Sequence, residues 1–426
     1  MKDKLAIQGG APVIREPFPP YRSLGDEETE AANRVLKTGV LSAYIGAAGE
    51  GFMGGPEVRA LESEAAAYFG ARHAIAVNSW TSGLIAAVGA IGIEPGDEVI
   101  VTPWTMAASA TAIVHWNAIP VFADIDARTF NLDPAAVQEA ITPRTRAIMS
   151  VDIFGQSADM DRLRAIAGRH KLKLLSDTAQ APGARYKDKY AGTLADIGGY
   201  SLNYHKHIHC GEGGILVTDD DRYAQRLRLI RNHAEAVIGS DDPAELANMI
   251  GYNFRLGEIE SAIARAQLRK LAAKVASRQR AAGQIAAGLD GLTGLVLPKI
   301  ADDCTHVYYV FGMRLEPELT GVSRASIVAA LRAEGVTGLG SGYQNVHRLP
   351  MFEHGIAYGK NGFPWVGMDK SPTRRASTRS CPVAERLHDE EFFFLNICAH
   401  EYTPAEAELV IAAFVKVWAN LQSLRG

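Results

Sequence analysis

The chain is poor in cysteine. It has four in 426 residues, Cys210, Cys304, Cys381 and Cys398, and no C-x-x-C pair. Thiols so few and so scattered exclude a disulfide framework and a zinc site built on cysteine. Long apolar runs are missing as well. Even Ala112–Ala123 is interrupted by His115, Asn117 and Pro120, so nothing approaches the roughly 18 residues a membrane helix requires. The opening MKDKLAIQGG has no apolar core of the kind a signal peptide carries, and a cytoplasmic protein without membrane partners is expected. A basic excess is absent too. The net charge is −4, which disfavours nucleic acid as a partner because phosphates must be neutralised by Lys and Arg.

What is present is an ordinary globular composition, 47% hydrophobic and 22% charged. That is enough to bury a large core. Seven short apolar runs read as strands: Ala74–Asn78, Glu98–Thr102, Pro120–Asp124, Ala147–Asp152, Leu172–Asp177, Gly198–Leu202 and Gly214–Thr218. Helical patterns separate several of them, such as Ser157–His170 with Met160, Leu163 and Ile166. Strands alternating with helices predict an α/β domain with a mostly parallel seven-stranded sheet, helices on both faces. We divide the chain into an N-terminal segment 1–55, a large α/β domain 56–255, and a linking helix with a smaller α+β domain 256–426. Residues 1–55 carry one helix, opened by Gly25-Asp26-Glu27-Glu28, striped by Ala31, Val35 and Leu36, and ended by Gly39. Pro56 opens the next helix. Beyond Asn253 the pattern predicts a long helix Glu258–Leu289, a strand Val307–Phe311 and helices Ser323–Glu334 and Pro404–Leu421.

Several motifs are wanting. No G-x-G-x-x-G opens a helix after a strand, and Gly355–Asn361 lacks the spacing and hydroxyl of a P-loop. His205, His207 and His209 alternate along a segment that, if extended, would present them on one side. No carboxylate or cysteine set accompanies them at ligand spacing, so no metal is expected.

Ligands of open α/β sheets sit beyond the carboxyl ends of the strands, and three strand ends carry chemistry. The first runs through Asn78-Ser79-Trp80-Thr81-Ser82-Gly83 into a helix, where free amides and hydroxyls suit an anion. Taken alone, that segment reads more readily as an ordinary N-cap. The fifth ends in Asp177, an acid that must be paired if it is buried. The sixth ends near Ser201 and leads to Lys206, set before the glycine-rich Gly211-Glu212-Gly213-Gly214. Partial burial lowers a lysine's pKa and makes it a candidate covalent nucleophile.

Together these segments resemble the fold-type-I pyridoxal 5′-phosphate (PLP) aminotransferases, and most closely the DegT/DnrJ/EryC1/StrS family. The likeness runs along nearly the whole chain through Gly54–Val58, Pro95–Ile100, Ile141–Thr145, Ala158–Asp161, Asp177–Gln180, Gly192–Asp196, Gly211–Gly214 and Gly251–Arg255. The resemblance implies that Lys206 attaches PLP, that Asp177 pairs with the ring nitrogen, and that Gln180 contacts the 3-oxygen. It implies that Trp80, Thr81 and Ser201 hold the phosphate, and that Asn253 reaches the cofactor of a second subunit in a homodimer with shared sites. The chain departs from the family where Trp80 replaces the usual glycine and Met106 stands for a ring-stacking aromatic, a surface that Trp104 or Trp80 would then supply. It departs again at Asp152, where many members have histidine, and at Ser176, where many have glutamate. These last two put substrate contacts in question.

The opening Leu5–Val13 looks like the branch acting on cyclitol ketones such as scyllo-inosose or making aminohydroxybenzoate. By resemblance the amino donor is glutamine or glutamate and the acceptor a ketosugar or keto-cyclitol. Tyr44, Tyr343 and His347 are candidate acceptor contacts, the last two spaced to share a face if helical. Dehydration or aromatisation on the same scaffold, and a PLP-binding sensor without catalysis, are the alternatives. Dehydrating relatives carry histidine in place of the lysine, and Lys206 is present here.

Overall fold

The structure is a computed structural model that describes residues 4–367 and 380–425. All seven expected strands pair in one sheet: β1 (His73–Val77), β2 (Glu98–Val101), β3 (Ile119–Phe122), β4 (Thr145–Val151), β5 (Lys173–Asp177), β6 (Ile197–Ser201) and β7 (Gly214–Thr218). Their spatial order is β1-β7-β6-β5-β4-β2-β3. Only β7 runs antiparallel, to both neighbours. The cause is local: no helix separates β6 from β7, only the loop that carries Lys206, so the chain turns back instead of crossing over.

Both faces of the sheet are covered, and the strands alternate between them. Ile75 and Val77 face a cluster with Leu84, Ile113, Leu227 and Ile230. Ala74 and Ala76 face another with Val58, Leu61, Leu268 and Leu271. The helices are α1 (Asp26–Thr38), α2 (Pro56–Phe69), α3 (Trp80–Ala90), α4 (Ala108–His115), α5 (Pro134–Ala140), α6 (Met160–His170), α7 (Asp221–Arg231) and the long α8 (Glu258–Leu289). Pro56 is the first residue of α2, and Gly39 ends α1 at φ 71°. Leu36 does not join the stripe. It is exposed while Ala31 and Val35 are buried, because one residue past Val35 lies 100° further round the helix.

A second, antiparallel sheet comprises β8 (Leu295–Val296), β9 (Phe311–Leu315), β10 (Leu339–Ser341) and β11 (Phe392–Leu395), in the order β8-β9-β11-β10. Its core takes in α9 (Arg324–Ala333), α10 (Pro404–Ala419), and Leu5, Ile14 and Phe18 from the start of the chain. The strand expected at Val307–Phe311 lies four residues later. Val307 N–H and Tyr309 N–H instead donate to Gly155 O and Phe154 O of the large sheet's loop, a tertiary pairing that apolar character alone does not reveal. His205, His207 and His209 lie in a turn region, not an extended segment, and His207 Nε2 is 2.7 Å from Val307 O.

One buried ion pair ties α2, β1 and α7 together. Arg231 on α7, fully buried, bonds Glu62 on α2 and donates to Ala76 O at 3.1 Å, while Ala76 N–H donates to Glu62 at 2.9 Å. Removing one partner leaves the other charge buried without compensation. Glu62→Ala is therefore predicted to destabilise the protein by about 3–5 kcal/mol, read as a fall in the denaturant midpoint. A loss within measurement error would contradict the pairing.

Candidate active site

The three chemical segments converge at the carboxyl edge of the sheet. Asp177 closes β5 and lies opposite Gly199 of the adjacent β6. Ser201 closes β6 and pairs with Gly214, whose added Cβ would lie 3.0 Å from Trp80 Cα. The start of β7, paired with the end of β6, is thus in contact with the first turn of α3. Ser79 caps α3 by accepting from Ser82 N–H at 3.0 Å. Thr81 stands exposed in that first turn and Ser201 is buried behind it. This is a helix N-terminus flanked by hydroxyls, the arrangement that suits a phosphate.

Lys206 enters from the loop after β6. Leu202 N–H donates to Gly213 O, Cys210 N–H to Leu202 O, and Lys206 N–H to Asn203 O, so the loop closes on itself. The lysine is 8% exposed and its Nζ stands 4.4 Å from the centre of the Tyr309 ring. Burial pushes its pKa down to about 8, against the charge of Asp177. His205 beside it is pushed down to about 4 by burial and by the lysine.

Asp177 is held by donors. Trp80 Nε1–H donates to Oδ1 and Ser109 Oγ–H to Oδ2, each at 2.7 Å, and Ala179 N–H reaches Oδ1 at 3.2 Å. Gln180 Nε2–H donates to Tyr343 Oη at 3.0 Å, and Phe154 N–H donates to Gln180 Oε1 at 2.9 Å. The backbone is strained here. Phe154 and Tyr308 have φ of 59° and 51°, a region non-glycine residues seldom adopt. Between them Gly155 is obligatory, since a Cβ there would meet Tyr308 N at 2.8 Å.

The profile of the DegT/DnrJ/EryC1/StrS aminotransferase family matches residues 26–392. The chain belongs to this family. It is a PLP-dependent aminotransferase. It is 33% identical over 431 residues, all of both chains, to a putative L-glutamine:3-amino-2,3-dideoxy-scyllo-inosose aminotransferase of Streptoalloteichus tenebrarius. It is 36% identical over 368 residues to a dTDP-3-amino-3,4,6-trideoxy-alpha-D-glucose transaminase of Streptomyces venezuelae, covering 86% of this chain and 89% of that one. Its fold is similar to that of an aminotransferase from Psychrobacter cryohalolentis, with TM-score 0.80 and 27% identity over 95% of this chain and 100% of that one.

The donor set of this aminotransferase fits PLP. An ionised carboxylate offers about four acceptor positions. Among the described residues three are used on Asp177, two on Oδ1 and one on Oδ2, which leaves one for a ring N–H. Lys206 is the buried amine beside it.

The remaining sequence candidates separate. Tyr343 joins Gln180. His347 does not: residues 343–345 are non-helical and only Val346–Arg348 forms a 3-10 turn, so no helix face joins the two, and His347 Nε2 lies 2.9 Å from Glu385, which also takes Arg348. Tyr44 packs against Gly54 and the Arg231 guanidinium, 5.0 Å away, and not with Gln180 and Tyr343. Asn253 is exposed, its Oδ1 accepting from Arg255 Nε–H at 2.7 Å. Met106 is 62% exposed at the start of α4, where its sulfur accepts from Ala108 N–H. Trp104 is fully buried among Phe130, Phe154, Tyr343 and Phe392 and offers no ring surface to a cofactor. Asp152 and Ser176 are both buried, and Asp152 accepts from Ser176, Thr178 and Ala158. Burial still pushes Asp152 up to about 6.

Sequence reading missed Ser109 and Tyr309. Ser109 lies in the first turn of α4 and meets the Thr105 hydroxyl at 2.9 Å, but Thr105 precedes the helix, so helical spacing does not mark the pair. Tyr309 reaches Lys206 only through the crossing at Phe154, which no local signal marks. In the apoprotein the Lys206 amine is predicted to react with an acylating reagent in proportion to its free-base fraction, with a midpoint near pH 8. A midpoint near the ordinary lysine value would contradict its burial.

Proposed function

We propose that this aminotransferase moves the amino group of glutamine or glutamate to a keto group of a cyclitol or sugar, with Lys206 as the residue that attaches PLP. The observation that carries this reading is a buried lysine, on the loop that follows β6, whose pKa is lowered by burial, near a buried carboxylate held by three donors at the end of the adjacent β5. Relatives named for cyclitol and sugar substrates support the acceptor class.

Bound PLP supplies the electron sink that acidifies the α-carbon of an amino donor. The chain's own residues do the rest. Asp177 accepts the ring N–H and holds the negative charge opposite it. Gln180 and Tyr343 form the hydrogen-bonded pair that faces the 3-oxygen. Thr81, the amide of Trp80 and Ser201 bind the phosphate, and Asn253 of a second copy completes it, so the working unit is a homodimer. Lys206, once its amine is free, takes the α-proton on Nζ and returns it to the acceptor. A pKa near 8 suits both directions. Among the described residues no helix is long and apolar enough to cross a membrane; the cytoplasmic setting expected from the sequence is part of this proposal.

Turnover is tested with a panel of keto-cyclitols, keto-sugar phosphates and nucleotide-linked ketosugars, scored by donor-dependent product mass. Lys206→Ala is predicted to lose about 10⁴-fold in turnover, the upper range for a proton-transfer group, while keeping the fold by circular dichroism. Near-normal turnover in that variant would overturn the assignment.

A further inference from the structure

The side chain of Trp80 is built into the site as firmly as its backbone. The indole lies beneath the first turn of α3, 7% exposed, and joins the core between α3 and the sheet. Its six-membered ring fits because glycines on two elements leave room. A Cβ on Gly199 of β6 would stand 2.6 Å from Cη2 and Cζ3, and a Cβ on Gly83 would stand 3.0 Å from Cε3. Contact at 2.6 Å cannot be accommodated by a rigid aromatic ring without moving it. The indole N–H thereby reaches Asp177 Oδ1 at 2.7 Å.

The hydrogen bonds around Asp177 divide unequally. Oδ1 receives two donors, the indole of Trp80 and the amide of Ala179. Oδ2 receives one, from Ser109, whose hydroxyl lies 2.9 Å from Thr105 Oγ1. An indole N–H donates and cannot accept, so this contact has one polarity. It also locks rotation of the carboxylate. With Oδ1 filled, the free lone pair is on Oδ2.

We propose that the Trp80 indole is a positioning residue for the aminotransferase reaction, which fixes Asp177 through Oδ1 and leaves Oδ2 as the acceptor for the cofactor's ring N–H. This deepens the reading of Asp177 given above and rests on it. Ser109 and Trp80 then divide the labour. The hydroxyl can rotate and shares Oδ2 with the cofactor, whereas the indole is rigid and holds the other oxygen. Gly83 and Gly199 belong to the same device, because they determine where the indole lies.

The test is a double-substitution cycle read as PLP affinity of the apoprotein, measured by absorbance titration, with Trp80→Phe and Asp177→Asn alone and combined. Trp80→Phe keeps an aromatic ring and removes the donor. It is predicted to weaken PLP binding roughly tenfold or more in the native background, the scale of one hydrogen bond to a charged group. In the Asp177→Asn background the same change is predicted to cost threefold or less, because the two residues act as a unit. Equal losses in both backgrounds would make Trp80 a packing residue only and overturn the proposal. An Asp177→Asn protein that binds PLP as the native protein does would instead overturn the role of Asp177 itself. Gly83→Ala, whose Cβ would meet Trp80 Cε3 at 3.0 Å and Cζ3 at 3.1 Å, is predicted to shift the ring and weaken PLP binding in the same direction as Trp80→Phe; native affinity in that variant counts against the proposal. If Trp80→Phe does not fold, indole N–H resonances decide. The chain has five tryptophans, and one of the five resonances is predicted to shift upfield when Asp177→Asn removes the charge. Five unmoved resonances would refute the contact.

Discussion

A carboxylate at the end of one strand and an amine on the loop that leaves its neighbour, both withdrawn from water, are the constraint around which this molecule is organised. Neither group is cheap to bury alone. Asp177 is tolerated because three protein donors surround it. Lys206 is tolerated because it approaches neutrality, with the face of Tyr309 beneath it and the negative charge of Asp177 across from it. The same features that make burial possible make the pair useful: a lysine free to give up its proton and a carboxylate that keeps its charge.

The fold serves that pairing at some distance. The antiparallel return of β7 forces the β6–β7 connection to double back, and Lys206 rides on that loop. The crossing of residues 307–309 onto the loop after β4 brings Tyr309 under the amine and couples the smaller sheet to the larger. Two non-glycine residues with left-handed backbone sit at this crossing. Strain gathered beside a site is what a preorganised centre requires, because the surrounding contacts must hold geometry that the local chain disfavours.

Much of this was legible in the sequence, and for identifiable reasons. The seven strands announce themselves because their runs of Val, Ile and Ala are buried on both faces. Asp177 drew attention at a strand end and Lys206 before a glycine-rich turn, whereas Gln180 was named only through the family resemblance. The misplaced strand at Val307–Phe311 shows the limit. Its apolar residues are buried, but their backbone partners lie 150 residues away in sequence, so periodicity cannot place them. His347 was grouped with Tyr343 on an assumed helix, and the chain there instead builds an ion-pair cluster with Glu385 and Arg348. The exchange of histidine and glutamate for Asp152 and Ser176 read as a change of substrate contact. In the structure Asp152 and Ser176 also share a buried hydrogen-bond network with Thr178 and Ala158, which a local pattern does not reveal. Trp80 read as an oddity in a phosphate loop, because the glycines that admit its ring, Gly83 and Gly199, are remote from it in pattern or in sequence.

The central claim is that one particular amine forms the covalent link to the cofactor. Borohydride reduction of the PLP-loaded protein, followed by proteolysis and peptide mass mapping, tests it most directly. The account predicts a single phosphopyridoxyl group on Lys206. A label on any other lysine, or none, would contradict it.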